Sequence, residues 1–282
     1  MWKGYLDSQN KRDALNEANN AQICLTIAGL DPSGGAGIVA DIKTFTAFGC
    51  FATAAVTSLT FQNTVGVFGA IHQTAESVRG QVEPIIEDFE LSAVKTGMLP
   101  TAEIIEETAR LIVENNLPNL VVDPVVRSTS GFDLITDEAL QILIEKLFPL
   151  ARVVTPNIAE AERITNLKIE DRAGMERAAR AIFNLGARAV LIKSGHLPTD
   201  EGKTQDLLFD GERIEIFSAD YLQTNSTHGT GCTLASAMAA NLAHGKNLSE
   251  AVRIAKDFVT EAIRTAPRIG RGHSPINHAV KF

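Results

Sequence analysis

Short apolar runs alternate along this chain with longer stretches in which apolar residues recur every three or four positions. The runs "ICLTIAGL" (23–30), "FATAAVTSLTF" (51–61), "VGVFGAI" (65–71), "LSAVKTGML" (91–99), "NLVVDPVV" (119–126), "RVVTPN" (152–157) and "RAVLIKSG" (188–195) predict strands. Helical periodicity predicts helices over 75–89, despite Pro84, and over 101–116, with Thr101 as N-cap. Further helices are predicted over 136–148, 158–166 and 170–185, and "DLLFDGERIEIFSA" (206–219) predicts a hairpin about Asp210-Gly211. Two helices, 232–243 and 249–265, close the chain; Ser249 is expected to cap the second, whose apolar positions keep a 3.6-residue period.

Several strands are apolar on both faces, and strands alternate with helices. That pattern predicts an α/β fold with a mainly parallel central sheet covered by helices on both sides. No repeat, low-complexity tract or linker interrupts residues 23–282, which are expected to form a single domain. Residues 1–22 read as a polar N-terminal arm without the apolar segment of a signal peptide.

Polar residues gather where the apolar strands end. Asp31, Gly34, Gln62, Met98, Asp123, Asn157, Glu160 and Lys193 all follow or close a predicted strand. In a parallel sheet those ends lie along one edge, where ligands bind at a crevice in the strand order. The plainer alternative is that α/β loops are polar and glycine-rich in any case.

Composition narrows the class of ligand. A net charge of −8 over 282 residues argues against a nucleic-acid or anionic-membrane partner, but leaves room for an anionic small molecule at a locally positive site. The three cysteines, Cys24, Cys50 and Cys232, form no CxxC pair, so neither a zinc site nor a disulfide framework is expected, and a cytoplasmic setting is. No apolar run approaches the length of a membrane span.

One stretch carries chemistry. "STHGTGCTLASAMAANLAHG" (226–245) turns through glycines into a helix of small residues. Amides at such a turn and the unpaired N–H groups of a helix start make a cradle for a phosphoryl group. Ala235, Ser236, Ala237, Ala239 and Ala240 would let the helix pack closely on the sheet. A capping turn followed by a buried cysteine is the alternative. The stretch is not a Walker A loop: "GKT" occurs at 202–204, but position 197 is Leu, where that motif needs glycine.

Taken together, "LTIAGLDPSGGAGIVADIKTF" (25–45), "QNT" (62–64), "KTGML" (95–99), "DPVV" (123–126), "VTPNIAEA" (154–161), "LIKSGH" (191–196) and "THGTGCTLASA" (227–237) resemble the ribokinase superfamily. Within it they resemble the hydroxymethylpyrimidine/phosphomethylpyrimidine kinases of thiamine biosynthesis. The resemblance implies a three-layer α/β/α ribokinase-like fold, ATP with Mg²⁺, a homodimer, and two successive phosphorylations. The first falls on the hydroxymethyl group of 4-amino-5-hydroxymethyl-2-methylpyrimidine, the second on the resulting monophosphate. Carried over by position, it implies Gly29, Asp41, Gln62, Met98 and Val125 at the pyrimidine. Gln62 offers a donor and an acceptor to an aminopyrimidine edge. Asp41 pairs with ring nitrogens or amine, or is only a helix-start carboxylate. Asn157, Lys193 and Thr230 are implied at nucleotide phosphates, and Glu160 with Asp123 at the metal, which suits Mg²⁺.

Cys232 stands where most superfamily relatives carry a catalytic aspartate, with Gly229 and Gly231 shaping its turn. A helix N-terminus is expected to lower its pKa. The thiol is then a base for the substrate hydroxyl, a positioning group, or both. His228 either hydrogen-bonds nearby or is a structural turn residue. The chain departs from the family pattern at Thr129, with Arg127 two residues earlier, and at Ser194 and Ser226. A pyridoxal-type kinase of the same fold and a non-catalytic pyrimidine sensor are the competing readings; the QNT glutamine favours the first reading over the former, and the intact glycine turn, Cys232 and Glu160 favour it over the latter.

Overall fold

The computed structural model describes residues 21–126, 133–195 and 202–280. The readings made at Arg127, Thr129, His196 and Leu197, and those for residues 1–20 of the arm, lie outside the described residues.

The strands are β1 (Ile23–Leu30), β2 (Phe51–Gln62), β3 (Val67–His72), β4 (Ala93–Thr96), β5 (Leu120–Val122), β6 (Val153–Val154), β7 (Val190–Ile192), β8 (Lys203–Phe209) and β9 (Ile214–Asp220). They form one sheet in the order β3-β2-β1-β4-β5-β6-β7-β8-β9. Neighbours from β2 through β7 pair in parallel, while β3, β8 and β9 join antiparallel at the two sides. The helices are α1 (Gly37–Ala47), α2 (Ala75–Asp88), α3 (Ala102–Glu114), α4 (Asp137–Lys146), α5 (Ile158–Thr165), α6 (Arg172–Asn184), α7 (Thr230–Ala243) and α8 (Leu248–Arg264).

The period of two in the strands divides the core. Leu25, Ile27, Val94, Val122, Val154 and Ile192 pack with α2 to α6 on one face. Cys24, Ala93, Val121, Val153 and Leu191 pack with Phe45 of α1 and with α7 and α8 on the other. The expected three layers are therefore present. The central strands are shorter than the apolar runs that announced them: 91–99 yields only Ala93–Thr96, and 188–195 only Val190–Ile192. Met98 and Leu99 belong to chain that leaves the ladder and enters the loops of the site, whereas Leu91 and Ala189 precede their strands at the opposite edge.

Three local readings change. The helix α1 carries no side-chain cap, and without that signal it was absent from the sequence reading. Asn247, not Ser249, caps α8 by accepting from the Glu250 N–H at 2.9 Å, and the Ser249 hydroxyl goes instead to Glu215. Helix α7 begins two residues earlier than expected, at Thr230 behind an N-cap Gly229.

The strand order places the site. The chain moves outward from β1 to β2 and β3, then returns across the sheet to β4 on the other side of β1. The order reverses between β1 and β4, and a crevice opens beyond their carboxyl ends.

Candidate active site

The crevice floor is Gly29 at the end of β1 and Met98 just past β4. A Cβ at Gly29 would lie 3.0 Å from the Met98 sulfur, so the glycine lets the thioether lie flat against the backbone. Beyond Gly29 the "DPSGGAG" loop is organised by one carboxylate. Asp31 Oδ1 accepts from the Ser33 N–H at 2.8 Å and its hydroxyl at 2.7 Å; Oδ2 accepts from Gly35 and Ala36 N–H at 3.2 and 2.9 Å. His228 Nε2, at 2.7 Å, donates to the same Oδ2, since a carboxylate has no proton to give. Burial opposes the Asp31 anion, but His228 and Ser33 hold its pKa below the ordinary value.

Gln62 ends β2 beside this histidine, its nitrogen 3.4 Å from His228 Nε2. With that ring N–H committed to Asp31, the imidazole nitrogen cannot accept, and the Gln62 amide N–H groups stay free for a ligand. Sequence reasoning left open whether His228 was structural; the structure makes it the link between the 31–36 loop and the turn before α7.

Six of the eight α-helices among the described residues are capped by a Thr, Asn or Asp side chain. The two exceptions are α1, behind Ala36, and α7, behind Gly229. Both begin in this crevice. No side chain caps either start, which leaves N–H groups of these first turns for an anion, although the Thr230 N–H donates to Thr227 O at 3.3 Å. The Gly37 N–H at the start of α1 points at the sulfur of Cys232, in the first turn of α7.

Across the mouth of α7 stand the residues read as phosphate and metal contacts. Lys193 Nζ donates to Asp123 Oδ1 at 2.8 Å, and Thr155 Oγ1 lies 3.2 Å from the same oxygen. A Cβ on Gly231 would lie 3.3 Å from Lys193 Nζ and 3.7 Å from Asp123 Oδ2, so the lysine and the helix start face each other directly. Asn157 and Glu160 form a capping box: Asn157 Oδ1 accepts from the Glu160 N–H at 2.9 Å, and Glu160 Oε2 from the Asn157 N–H at 2.8 Å. The Val126 N–H also hydrogen-bonds the Glu160 carboxylate. The Thr230 hydroxyl donates within its own turn, to Thr227 O at 3.1 Å. A groove of about 460 Å³ opens beside Asn157 and Glu160, with Arg163 and Lys168 also on its wall. Val125 is half-buried at the rim.

The electrostatics correct one expectation. The Cys232 thiol is not lowered but pushed up to about 11. Burial is the main cause, opposed by Lys95 and supported by the carboxylates of Asp41 and Asp123. The residue keeps some exposed surface while protein surrounds its sulfur, as for a group at the floor of a cleft. Glu160 rises to about 7 through burial, with Lys193 opposing and Asp123 adding to the rise. Lys193 stays above its usual value because Asp123 and Glu160 outweigh its burial. Among the described residues no group of three or more His, Cys, Asp or Glu could hold a metal. Two carboxylates with hard oxygens match instead a hydrated Mg²⁺, which takes one or two protein ligands and completes its shell with phosphate and water.

Asp41 is also placed differently. It is fully buried in the second turn of α1, and both oxygens are taken by Lys95, Thr26 and Ser236. A carboxylate has about four lone-pair sites, and these four bonds fill them, so Asp41 has none left for a pyrimidine. Ser226 and Ser194 are buried; Ser194 Oγ accepts from the Gln205 N–H at 3.0 Å. No helix among the described residues is long and apolar enough to cross a membrane.

Residues 31–277 match the model of the phosphomethylpyrimidine kinase family. The hydroxymethylpyrimidine/phosphomethylpyrimidine kinase of Bacillus subtilis is 44% identical over 254 residues, which cover 90% of this chain and 93% of that one. The thiamine biosynthesis bifunctional protein ThiED of Geobacter sulfurreducens is 47% identical over 90% of this chain, which spans only 51% of that longer protein. Among solved structures, the pyridoxal kinase from Staphylococcus aureus in complex with AMP-PCP and pyridoxal superposes with a TM-score of 0.85 at 35% identity, covering 92% of this chain and 94% of that one.

Proposed function

The chain belongs to the phosphomethylpyrimidine kinase family, and from that premise we propose how its residues divide the reaction. The enzyme is a kinase of 4-amino-5-hydroxymethyl-2-methylpyrimidine and of its monophosphate, in thiamine biosynthesis. The observation that carries the division is the meeting of Gln62, the Gly29–Met98 floor and the two uncapped helix starts at one crevice. Gln62 reads the aminopyrimidine edge, and Met98 and Val125 hold the ring faces. The N–H groups of Gly229 and Gly231 receive the transferring phosphoryl group, where fixed dipoles stabilise charge that develops in the transition state. Lys193 and Asn157 lie on the nucleotide side. ATP is the donor in this reading, in keeping with the AMP-PCP bound by the S. aureus relative. Asp123 and Glu160 would hold Mg²⁺, which neutralises phosphate charge when bound. Cys232 accepts the proton of the substrate hydroxyl. One domain, 23–282, carries the whole site, and a cytoplasmic location goes with it.

The test is ADP release by the purified protein with Mg-ATP, offered hydroxymethylpyrimidine, its monophosphate and pyridoxal in parallel. Turnover of both pyrimidines with little on pyridoxal supports the division. The likeness to a pyridoxal kinase structure keeps the second reading in view, and dominant pyridoxal turnover would establish it. The homodimer is assigned to the outer face of β2 and β3, where Phe61, Phe68 and Ile71 are each more than half exposed. Sedimentation of Phe68→Asp as a monomer, against a wild-type dimer, is the expected result.

A further inference from the structure

Beneath Cys232 lies an ion pair for which the division of labour above has no use. Lys95 on β4 and Asp41 on α1 are both wholly buried. Lys95 Nζ lies 3.0 and 2.9 Å from Asp41 Oδ1 and Oδ2. Oδ1 also accepts from Ser236 Oγ at 2.7 Å, and Oδ2 from Thr26 Oγ1 at 2.7 Å. Ser236 follows Cys232 by one helical turn, so the carboxylate is fastened to the segment that carries the thiol. The backbone is cut away around the ammonium: a Cβ on Gly97 would come within 2.8 Å of Lys95 Nζ.

A buried ion pair is a poor source of stability, because desolvation offsets much of the attraction. Its location offers another reason. The charged groups that bear on Cys232 are Lys95 from β4, Asp41 from α1, Asp123 past β5 and Lys193 past β7. Lys95 is the foremost of them in favouring the thiolate. We propose that Lys95 is a positioning residue for phosphoryl transfer: Asp41 fixes its ammonium under Cys232, and that fixed charge holds the thiolate that takes the substrate's proton.

The balance is simple. Cys232 first releases its proton to water. The thiolate takes the hydroxyl proton as the substrate oxygen bonds to the γ-phosphorus and the bond from that phosphorus to the bridging oxygen breaks. A thiol and ADP remain. The inference rests on Cys232 being the base, and the experiment separates the two. The rate of Cys232 alkylation by iodoacetamide is followed against pH in the nucleotide-free enzyme, with peptide mass mapping to resolve it from Cys24 and Cys50. In Lys95→Met the titration moves up by about one pH unit, which is tenfold less thiolate at a given pH. Lys95→Arg, which disturbs packing but keeps the charge, stays near wild type. Asp41→Asn/Lys95→Met, which removes both charges and leaves no buried ion unpaired, moves up by less and serves if Lys95→Met does not fold. An unmoved titration in the charge-free variants, or an equal shift in Lys95→Arg, overturns the proposal. If Cys232→Ser keeps its turnover, the base assignment fails on its own, whatever the alkylation profile shows.

Discussion

Gly229→Ala puts the two-loop construction of the site to a quantitative test. Gly229 has φ +86°, and a Cβ there would stand 1.8 Å from the carbonyl oxygen of Gly35. Placing an alanine in a left-handed conformation costs about 1–2 kcal/mol. The contact adds more, because the oxygen belongs to backbone and cannot rotate away. To reach an ordinary separation, the 31–36 loop and the start of α7 must part by more than about 1 Å, a displacement that costs about 10²-fold in rate when it misaligns reacting groups. Gly245 supplies the control at the other end of α7. It has φ +76°, but nothing lies within 4 Å of its Cβ position. Gly245→Ala should therefore lose only the conformational term, about 2–4 °C in Tm for each kcal/mol, with turnover intact. Gly229→Ala should lose at least that much stability and about two orders of magnitude in kcat. Thermal unfolding and ADP release measured on both variants read the two terms separately. Equal losses in the two variants, or near-normal turnover in Gly229→Ala, would refute the claim that the glycine exists to let these loops meet.

Cys232→Ser should lower kcat by about 10²–10⁴-fold, the usual contribution of a general base, with KM for the pyrimidine little changed; steady-state kinetics on both substrates check it. Gln62→Ala should weaken pyrimidine binding roughly tenfold, the loss of one or two hydrogen bonds, while nucleotide affinity stays unchanged by calorimetry. Asp31→Asn should destabilise the fold at neutral pH by about 2–3 kcal/mol, since the anion accepts from three residues and from His228. Its folded pKa lies below the unfolded value, so this stability is present above about pH 4 and lost as pH falls through the folded pKa. The gap between wild type and variant in denaturant melts should accordingly close in acid.

Strands of the sheet were legible because β1 and β2 are long apolar runs, and the rim was legible because strand ends in a parallel sheet share an edge. Helix α1 was not legible, since its start is organised by Asp31 from a turn upstream instead of by a cap at residue 36. The pairing of Lys95 with Asp41 could not be read either. The partners are separated by 54 positions, and nothing local marks a lysine as buried. The same distance effect reversed the expectation for Cys232. The helix start beside the thiol is visible in "GTGC", but the burial and the carboxylates of Asp41 and Asp123 are brought there by the fold.

The order in which the chain builds the sheet gives the molecule a delayed completion during synthesis. The 31–36 loop and Gln62 belong to the first quarter of the chain, whereas α7, which faces them, lies in the last. At about 5–20 residues per second, roughly 10–40 s separate the appearance of Gly35 from that of Gly229 on the ribosome. From the emergence of β6 until that of α7, the face of the sheet formed by Cys24, Ala93, Val121 and Val153 has neither α7 nor α8 to cover it. A nascent chain of this design is a natural client for a chaperone that shields apolar surface, and a ribosome stalled near residue 220 should leave it aggregation-prone and without activity.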